Sequence, residues 1–393
     1  MAESIATVVL KKRIRLARLS RGHPWIFDNE VERVEGDAAA GDVVAVTDGR
    51  RSLGWGLFHP GSKIRVRRLG KGDPVEMDES FFAERIARAW ALRERELPHR
   101  KDVCRVVSSE ADELSGLVVD RYRDRFVVQI TSYGMERRLD AIGAAIEGLF
   151  HPKLVWLRND ASVRTLEGLD RESRLWSGSD ADLDVDVEVH GLRLAVDLRA
   201  GHKGGLYLDQ LDNQALVAQR ATGRTVLDCF SYQGGFALAA AKAGAARVSA
   251  VEVSDTMAAR IAANAEANGV AVDVVRANAF DFLRAAEGPY DLVVLDPPSF
   301  TRSRAAGEGA LRGYKEIHLR ALKLLSPGGL LATFTCSQHV DRAAFEGVIV
   351  DAAMDARRPV RRVASYEQPG DHPILPHVPE TEYLKGALYQ ALS

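Results

Sequence analysis

The spacing of apolar positions changes along the chain, and the changes divide it into three stretches. Up to about residue 73, short runs at Ile5–Leu10, Val43–Thr47, Ser52–Phe58 and Ile64–Leu69 are separated by turns such as Asp48-Gly49 and Pro60-Gly61, which predicts a small β-rich module. Gly22-His23-Pro24-Trp25-Ile26-Phe27 reads as a rigid turn leading into aromatic anchors, with Trp25 and Phe27 expected to fill the core of a small barrel. Gly70–Asp78 predicts a linker. After it, Phe81–Glu96 has helical periodicity with charges paired four apart. Val103–Ser108, Leu117–Tyr122, Phe126–Thr131 and Leu154–Arg158 predict strands, and Met135–Leu149 a helix. Leu183–Val189 and Leu192–Leu198 predict a hairpin turning at His190-Gly191, so this middle stretch is expected to be a separate α+β layer.

From about residue 200, strands and helices alternate. The expected elements are Thr225–Cys229, Gly235–Ala243, Val248–Glu252, Asp255–Asn268, Ala271–Arg276, Ala279–Ala286, Leu292–Leu295, Gly309–Leu325, Leu330–Thr335 and Arg342–Ala356. Further strands are expected at Arg361–Tyr366 and Tyr383–Gln390. This pattern predicts a doubly wound α/β sheet with helices on both faces, a Rossmann-like layout in which ligands bind outside the carboxyl ends of the strands. The expected domains are residues 1–73, 76–198 and 199–393, consistent with a prior of two or three for 393 residues.

Charge adds a partner class. The net charge of −2 conceals Lys11–Arg21, with six basic residues and no acid, and Lys63–Lys71, with five and none. Lys11, Lys12, Arg13, Arg65 and Arg67 are therefore candidates for contact with a polyanion. Cys104, Cys229 and Cys336 form no CxxC pair and no disulfide framework, which fits a reducing compartment and makes metal ligation unexpected. The sequence contains no apolar run of bilayer-spanning length and no signal-peptide core, so a cytoplasmic protein without membrane association is expected.

The chemistry gathers at the predicted strand ends. Thr225–Gly244 is a strand ending at Asp228, a turn with Gly234-Gly235, and an Ala-rich helix whose N-terminus points back at the strand end. A second strand ends in Glu252, placed to hold a ribose hydroxyl pair. G-x-G-x-x-G is absent, which favours a nucleoside ligand without phosphate over a dinucleotide. Asn278-Ala279-Phe280 follows the third strand, suited to a planar base. Asp296-Pro297-Pro298-Ser299-Phe300 follows the fourth, with two prolines fixing the position of the acid. Thr335-Cys336-Ser337 ends the fifth, and as a thiolate Cys336 would be a potent nucleophile. Cys229, within the first strand, is expected to be a small buried hydrophobe.

Asp228–Phe236 (DCFSYQGGF), Asp296–Phe300 and Thr335–Ser337 together resemble the motifs of class I S-adenosylmethionine-dependent cytosine-C5 methyltransferases of bacterial large-subunit ribosomal RNA. The likeness covers nearly the whole chain. Gly22–Phe27 is similar to that family's N-terminal PUA domain, a β-barrel, and Ser109–Leu117 to its central α+β domain. Gly201–Gln210, including Lys203, is similar to the segment that precedes the catalytic fold and helps close the cofactor pocket, and Asp371-His372-Pro373 and Tyr383–Gly386 to its C-terminal end. The resemblance implies S-adenosyl-L-methionine as cofactor and large-subunit ribosomal RNA as partner, and leaves a homodimer open. It implies Cys336 as the nucleophile toward C6 of a flipped cytosine and Asp296 as the acid that contacts the base, with Pro297, Pro298 and Lys203 on the substrate side. Asp228, Phe230, Tyr232 and Gly234 would hold the methionine portion of the cofactor, Glu252 the ribose, and Asn278 with Ala279 the adenine edge, with Asp296 beside them.

The chain departs from the family pattern at two places. Asn278 stands where an aspartate is common, and the Asp296 motif lacks the second cysteine of two-cysteine RNA enzymes, so the base that removes the C5 proton is unnamed. Two rivals remain: an RNA purine amino-methyltransferase, for which Ser299 before Phe300 is ill suited, and a non-catalytic ribosome-assembly RNA-binding protein.

Overall fold

The computed structural model describes residues 5–12, 17–199, 205–300 and 307–392. Arg13 and Lys203 lie outside them. The chain forms two compact units, one of residues 1–185, 197–205 and 370–381, the other of residues 186–196, 206–369 and 382–393.

The first unit begins with β1 (Thr7–Leu10), the single turn α1 (Ala17–Ser20), β2 (Trp25–Phe27), β3 (Val31–Glu35), β4 (Val43–Thr47), β5 (Ser52–Phe58) and β6 (Ile64–Gly70). They form a six-stranded sheet in the order β2-β6-β5-β4-β1-β3. Trp25 and Phe27 correct the expectation that they fill the core. They lie in a strand, and its alternation sends Ile26 inward, fully buried with Val8, Leu10, Val44 and Val66, while its two neighbours stay half-buried. The Trp25 indole N–H donates to Glu110 Oε1 at 2.9 Å.

Helix α2 (Glu79–Glu96) is capped by the Asp78 carboxylate, which accepts from Phe81 N. It is followed by β7 (Val103–Ser108), β8 (Leu117–Tyr122), β9 (Arg125–Ile130), α3 (Tyr133–Glu136), α4 (Leu139–Phe150), β10 (Leu154–Asn159) and β11 (Glu172–Ser177), whose strands lie in the order β11-β10-β9-β8-β7. The single helix expected at Met135–Leu149 is broken at Arg138, whose guanidinium donates to Gly41 O and Gly134 O.

A buried ion network joins residues 370–381 to this unit. Arg100 grips both oxygens of Asp371 at 2.9 and 3.0 Å, Arg105 N donates to the same carboxylate at 2.9 Å, and His372 Nδ1 lies 3.0 Å from it. Arg93 holds Asp112 bidentately at 2.6 and 2.7 Å and reaches Asp371 O at 3.0 Å. Burial alone would raise the Asp371 pKa, but His372 and Arg100 overcome it and hold the carboxyl well below the ordinary range. Arg100→Met should therefore destabilise the first unit by about 3–5 kcal/mol at pH 7, because it strands a buried carboxylate. Urea unfolding checks this. The loss should narrow below about pH 4, where the unfolded carboxyl takes up its proton and the contribution of the depressed group fades.

The second unit carries most of the hairpin β12 (Asp184–Val189) and β13 (Leu192–Asp197), then α5 (Leu211–Ala218), β14 (Thr225–Cys229), α6 (Gly235–Lys242), β15 (Arg247–Glu252), α7 (Asp255–Ala267) and β16 (Asp273–Arg276). It continues with α8 (Ala279–Ala285), β17 (Tyr290–Leu295), α9 (Gly307–Leu324), β18 (Leu325–Thr335), α10 (Arg342–Ala356), β19 (Val360–Glu367) and β20 (Lys385–Ala391). The sheet order is β16-β15-β14-β17-β18-β20-β19, parallel except for β20, which runs against both neighbours. Alternation along the strands feeds two cores. Leu227, Val293 and Leu295 pack with α8–α10, and Val226, Leu292 and Val294 with α5–α7. Strand order reverses between β14 and β17, and the strand ends there form the crevice in which such sheets bind ligands. No helix among the described residues is long and apolar enough to cross a membrane.

Candidate active site

Asp228 lies at the end of the central strand β14, 1 % exposed. Its Oδ2 accepts from Ala237 N at 3.2 Å, and its Oδ1 is buried without a hydrogen-bond partner among the described residues. Burial, with the charge of Asp296 and Glu252 adding, pushes its pKa up to about 8. The following turn is tight. Phe230 and Tyr232 hold φ values of 64° and 51°, and Gly234 of 84°, the left-handed region in which a non-glycine residue is strained. Hydrogen bonds hold the turn: Tyr232 N donates to Glu252 Oε2 at 2.8 Å, Ser231 N to Val251 O at 3.1 Å and Gly234 N to Ser231 O at 2.7 Å. Glu252 Oε1 accepts from Ser254 N at 2.9 Å, so Glu252 fixes the turns after both β14 and β15.

Asn278 is exposed and caps α8, with its Oδ1 accepting from Phe280 N at 2.9 Å, while Ala279 is buried. Phe230, Phe280 and Phe300 form one aromatic cluster, with centroids 5.6 to 6.5 Å apart. Asp296 is half-buried after β17, Pro297 buried and Pro298 exposed.

Cys336 is half-buried, just beyond β18. Its neighbours are fixed. Tyr314 OH lies 2.7 Å from Thr335 Oγ1 and 3.0 Å from Ser337 Oγ, which is also 2.9 Å from Ser299 Oγ. Cys229 is fully buried with its thiol pKa pushed well above normal by burial, as expected of a structural cysteine. The Tyr207 hydroxyl is raised chiefly by burial and then by the charges of Tyr232, Asp296, Asp209 and Cys336. The Tyr207 ring meets Tyr232 edge-on at 4.8 Å. Sequence reasoning named neither Tyr207 as a site residue nor Tyr314 at all. Only the likeness at Gly201–Gln210 pointed toward the former.

The basic residues separate. Lys11 and Lys12 are exposed and Arg65 is half-buried. Arg67 is 8 % exposed, and its guanidinium donates to Glu167 at 2.8 and 3.2 Å and to Ser115 Oγ at 3.3 Å, so the structure places it inside the first unit rather than on an outer face.

Residues 167–389 match the family described as S-adenosylmethionine-dependent methyltransferase, and residues 8–71 a PUA-like domain. The chain belongs to the S-adenosylmethionine-dependent methyltransferases. Proteins named ribosomal RNA large subunit methyltransferase I from Shewanella denitrificans and Photobacterium profundum are 40% and 37% identical to it over 379 and 380 residues, covering 94% of this chain and 95% of each relative. A solved structure described as a SAM-dependent methyltransferase from Streptococcus mutans shares the fold, with a TM-score of 0.83 at 21% identity over 98% of this chain and 100% of that one. A second, described as a methyltransferase complexed with SAH, gives 0.84 at 21% over the same shares.

The residues present fit the cofactor. The unsatisfied Asp228 oxygen suits a ligand ammonium, and the turn lacks a phosphate cradle that S-adenosylmethionine does not need. Because burial pushes the Asp228 pKa up to about 8, binding an ammonium there should release a proton near neutral pH. Affinity for S-adenosylhomocysteine should then rise between pH 6 and 8 by up to about tenfold per unit and level off above. Calorimetry across that range checks it, and Asp228→Asn should flatten the slope.

Proposed function

We propose that this methyltransferase modifies carbon 5 of a cytosine in large-subunit ribosomal RNA, with Cys336 as nucleophile. The observation that carries the reading is the position of Cys336, half-buried just beyond β18, on the same rim of the parallel sheet as Asp296 just beyond β17. The names of the two bacterial relatives support the RNA substrate. In the proposed division of labour, residues 1–73 bind RNA, 76–198 form a central α+β domain, and 199–393 hold the chemistry, in the cytoplasm.

Cytosine C5 is a poor nucleophile, so a covalent step is required. With the base turned out of its stack, the Cys336 thiolate forms a bond to C6 and the C5=C6 electron pair becomes available at C5. Asp296 hydrogen-bonds the base at N3 or its amino group and stabilises the charge that develops. Pro297 and Pro298 keep that carboxyl in place. S-adenosylmethionine supplies the electrophilic methyl group that C5 accepts. A base then takes the C5 proton, the C–H electron pair restores C5=C6, and the thiolate leaves. Asp228 and the Phe230–Gly234 main chain, Tyr232 included, hold the methionine portion, Glu252 the ribose, and Asn278 with Ala279 the adenine edge. Lys11, Lys12 and Arg65 meet RNA phosphates, as would Arg13, with Lys203 on the substrate side; Arg67 serves the interior.

Nucleosides from large-subunit RNA incubated with the protein and S-adenosylmethionine should contain 5-methylcytidine by mass spectrometry. A methylated purine instead would sink the reading. Cys336→Ala should lower kcat on the order of a thousandfold or more while leaving cofactor affinity intact. Asp296→Asn should cost about a hundredfold.

A further inference from the structure

Lys385 opens β20, and its Cα pairs with Thr335 of β18, which sets it beside the strand end that carries Cys336. Its side chain is buried, 6 % exposed, and Nζ donates to Ser337 O at 3.1 Å and Tyr383 O at 3.2 Å. Both partners are main-chain carbonyls, which a neutral donor would satisfy equally. Withdrawing a full charge from water is costly without an anion close by. Among the described residues, the charged or titratable groups that act most on this ammonium are Glu382 three positions before it, Asp341 and Arg342 at the start of α10, and Cys336. The Tyr314 hydroxyl meets both residues that flank Cys336, and the Tyr207 phenol feels the charge of Cys336. Burial first, with Cys336 adding, raises both phenols, so they remain neutral at pH 7. Asp296, acting on the same Tyr207 as Cys336, opposes a second negative charge there.

We propose that Lys385 is a positioning residue for the nucleophile: its ammonium, fixed against the end of β18 by the Ser337 and Tyr383 carbonyls, is the cation that stabilises the Cys336 thiolate. This rests on the reading of Cys336 as nucleophile. The charge of Lys385, rather than its hydrogen bonds, supplies the effect, which separates the role from carbonyl capping. Burial, with Arg342 adding, lowers the pKa of Lys385 below the ordinary lysine value, and Glu382, Cys336 and Asp341 offset this only in part.

The test is the rate of Cys336 alkylation by iodoacetamide between pH 5.5 and 10 in the full chain, followed by peptide mass spectrometry. In this reaction the thiolate forms an S–C bond and iodide leaves. Cys104 and Cys229 are buried with raised thiol pKa values, and Cys336→Ala measures what background they give. The parent midpoint should fall below the ordinary thiol value of about 8.5. Lys385→Gln, which keeps a donor for the carbonyls, should slow alkylation at pH 7 on the order of tenfold and move the midpoint upward. Lys385→Arg should stay within about threefold of the parent. Binding of S-adenosylhomocysteine verifies that each variant is folded. A parent midpoint at or above about 8.5, a Lys385→Gln profile superimposed on the parent, or equal losses in the Gln and Arg variants would each overturn the proposal. Alkylation requires no RNA, so a product other than 5-methylcytidine would defeat the proposed reaction while leaving this outcome intact.

Discussion

Asp228 ends the central strand of the second unit with one carboxylate oxygen tied to Ala237 N and the other given no partner by the described protein. It is buried, because β15 and β17 flank β14 and helices cover both faces of the sheet. A carboxyl so placed is costly in either state: charged, it lacks solvation, and neutral, it forgoes its attraction for a cation. The surrounding turn compounds the cost through the left-handed Phe230 and Tyr232, which Glu252 holds from the neighbouring strand. Strain and an unsatisfied buried oxygen persist together at sites that a ligand completes, and an ammonium is the chemistry this carboxyl fits.

Beyond β18 the problem is positional. Ser337 is fixed at three atoms: its amide donates to Thr335 Oγ1 at 3.2 Å, its hydroxyl meets Tyr314 and Ser299, and its carbonyl accepts from Lys385. Cys336 lies between two residues that cannot shift independently, which is what an attacking sulfur needs if it is to meet carbon at a set distance. Deeper in the same unit, His318 Nε2 lies 2.8 Å from Thr333 Oγ1, and burial lowers its pKa to about 4. It is therefore neutral at pH 7, and this hydroxyl and imidazole ladder carries no charge to the thiol.

The strand ends were legible in the sequence because each strand is a short, nearly continuous apolar run that stops at a polar residue or turn, and Asp228, Glu252, Asp296 and Cys336 stand at those stops. What escaped notice depends on tertiary pairing. Tyr314 sits inside a long amphipathic helix, where an aromatic looks like any core residue, and its hydroxyl contacts arise only when α9 packs on β18. Lys385 lies 49 positions after Cys336, and only the antiparallel register of β20 brings it to Thr335. Strand β11 was missed because ESRLWS is mostly exposed and lacks alternation, and β3 because its VERVE run is mostly charged. Residues 370–381 cluster with the first unit through the Asp371 ion network, a link that no local pattern announces.

Arg67 shows why a run of like charges is not a face of like charges. On β6, Val66 points into the core of the six-stranded sheet, while Leu69 packs into a second core with Trp55, Leu57 and the residues of α2 and the α+β layer. The middle of the strand is covered on both faces, so Arg67 is enclosed and takes Glu167 and Ser115 as partners, with Glu110 3.6 Å away, while Arg65 nearer the strand's start stays half-buried. Enclosed with acids, its guanidinium is largely neutralised locally and has little field to offer a distant phosphate. Lys11 and Lys12, which follow β1 where the chain leaves the sheet, are exposed, with Lys11 Nζ donating to Asn29 O at 2.9 Å. For RNA, whose attraction falls with salt according to how many phosphates are neutralised, only cations that reach solvent count. The electrostatic footprint of the first unit is therefore smaller than its sequence suggests and shifted toward the residues that follow β1.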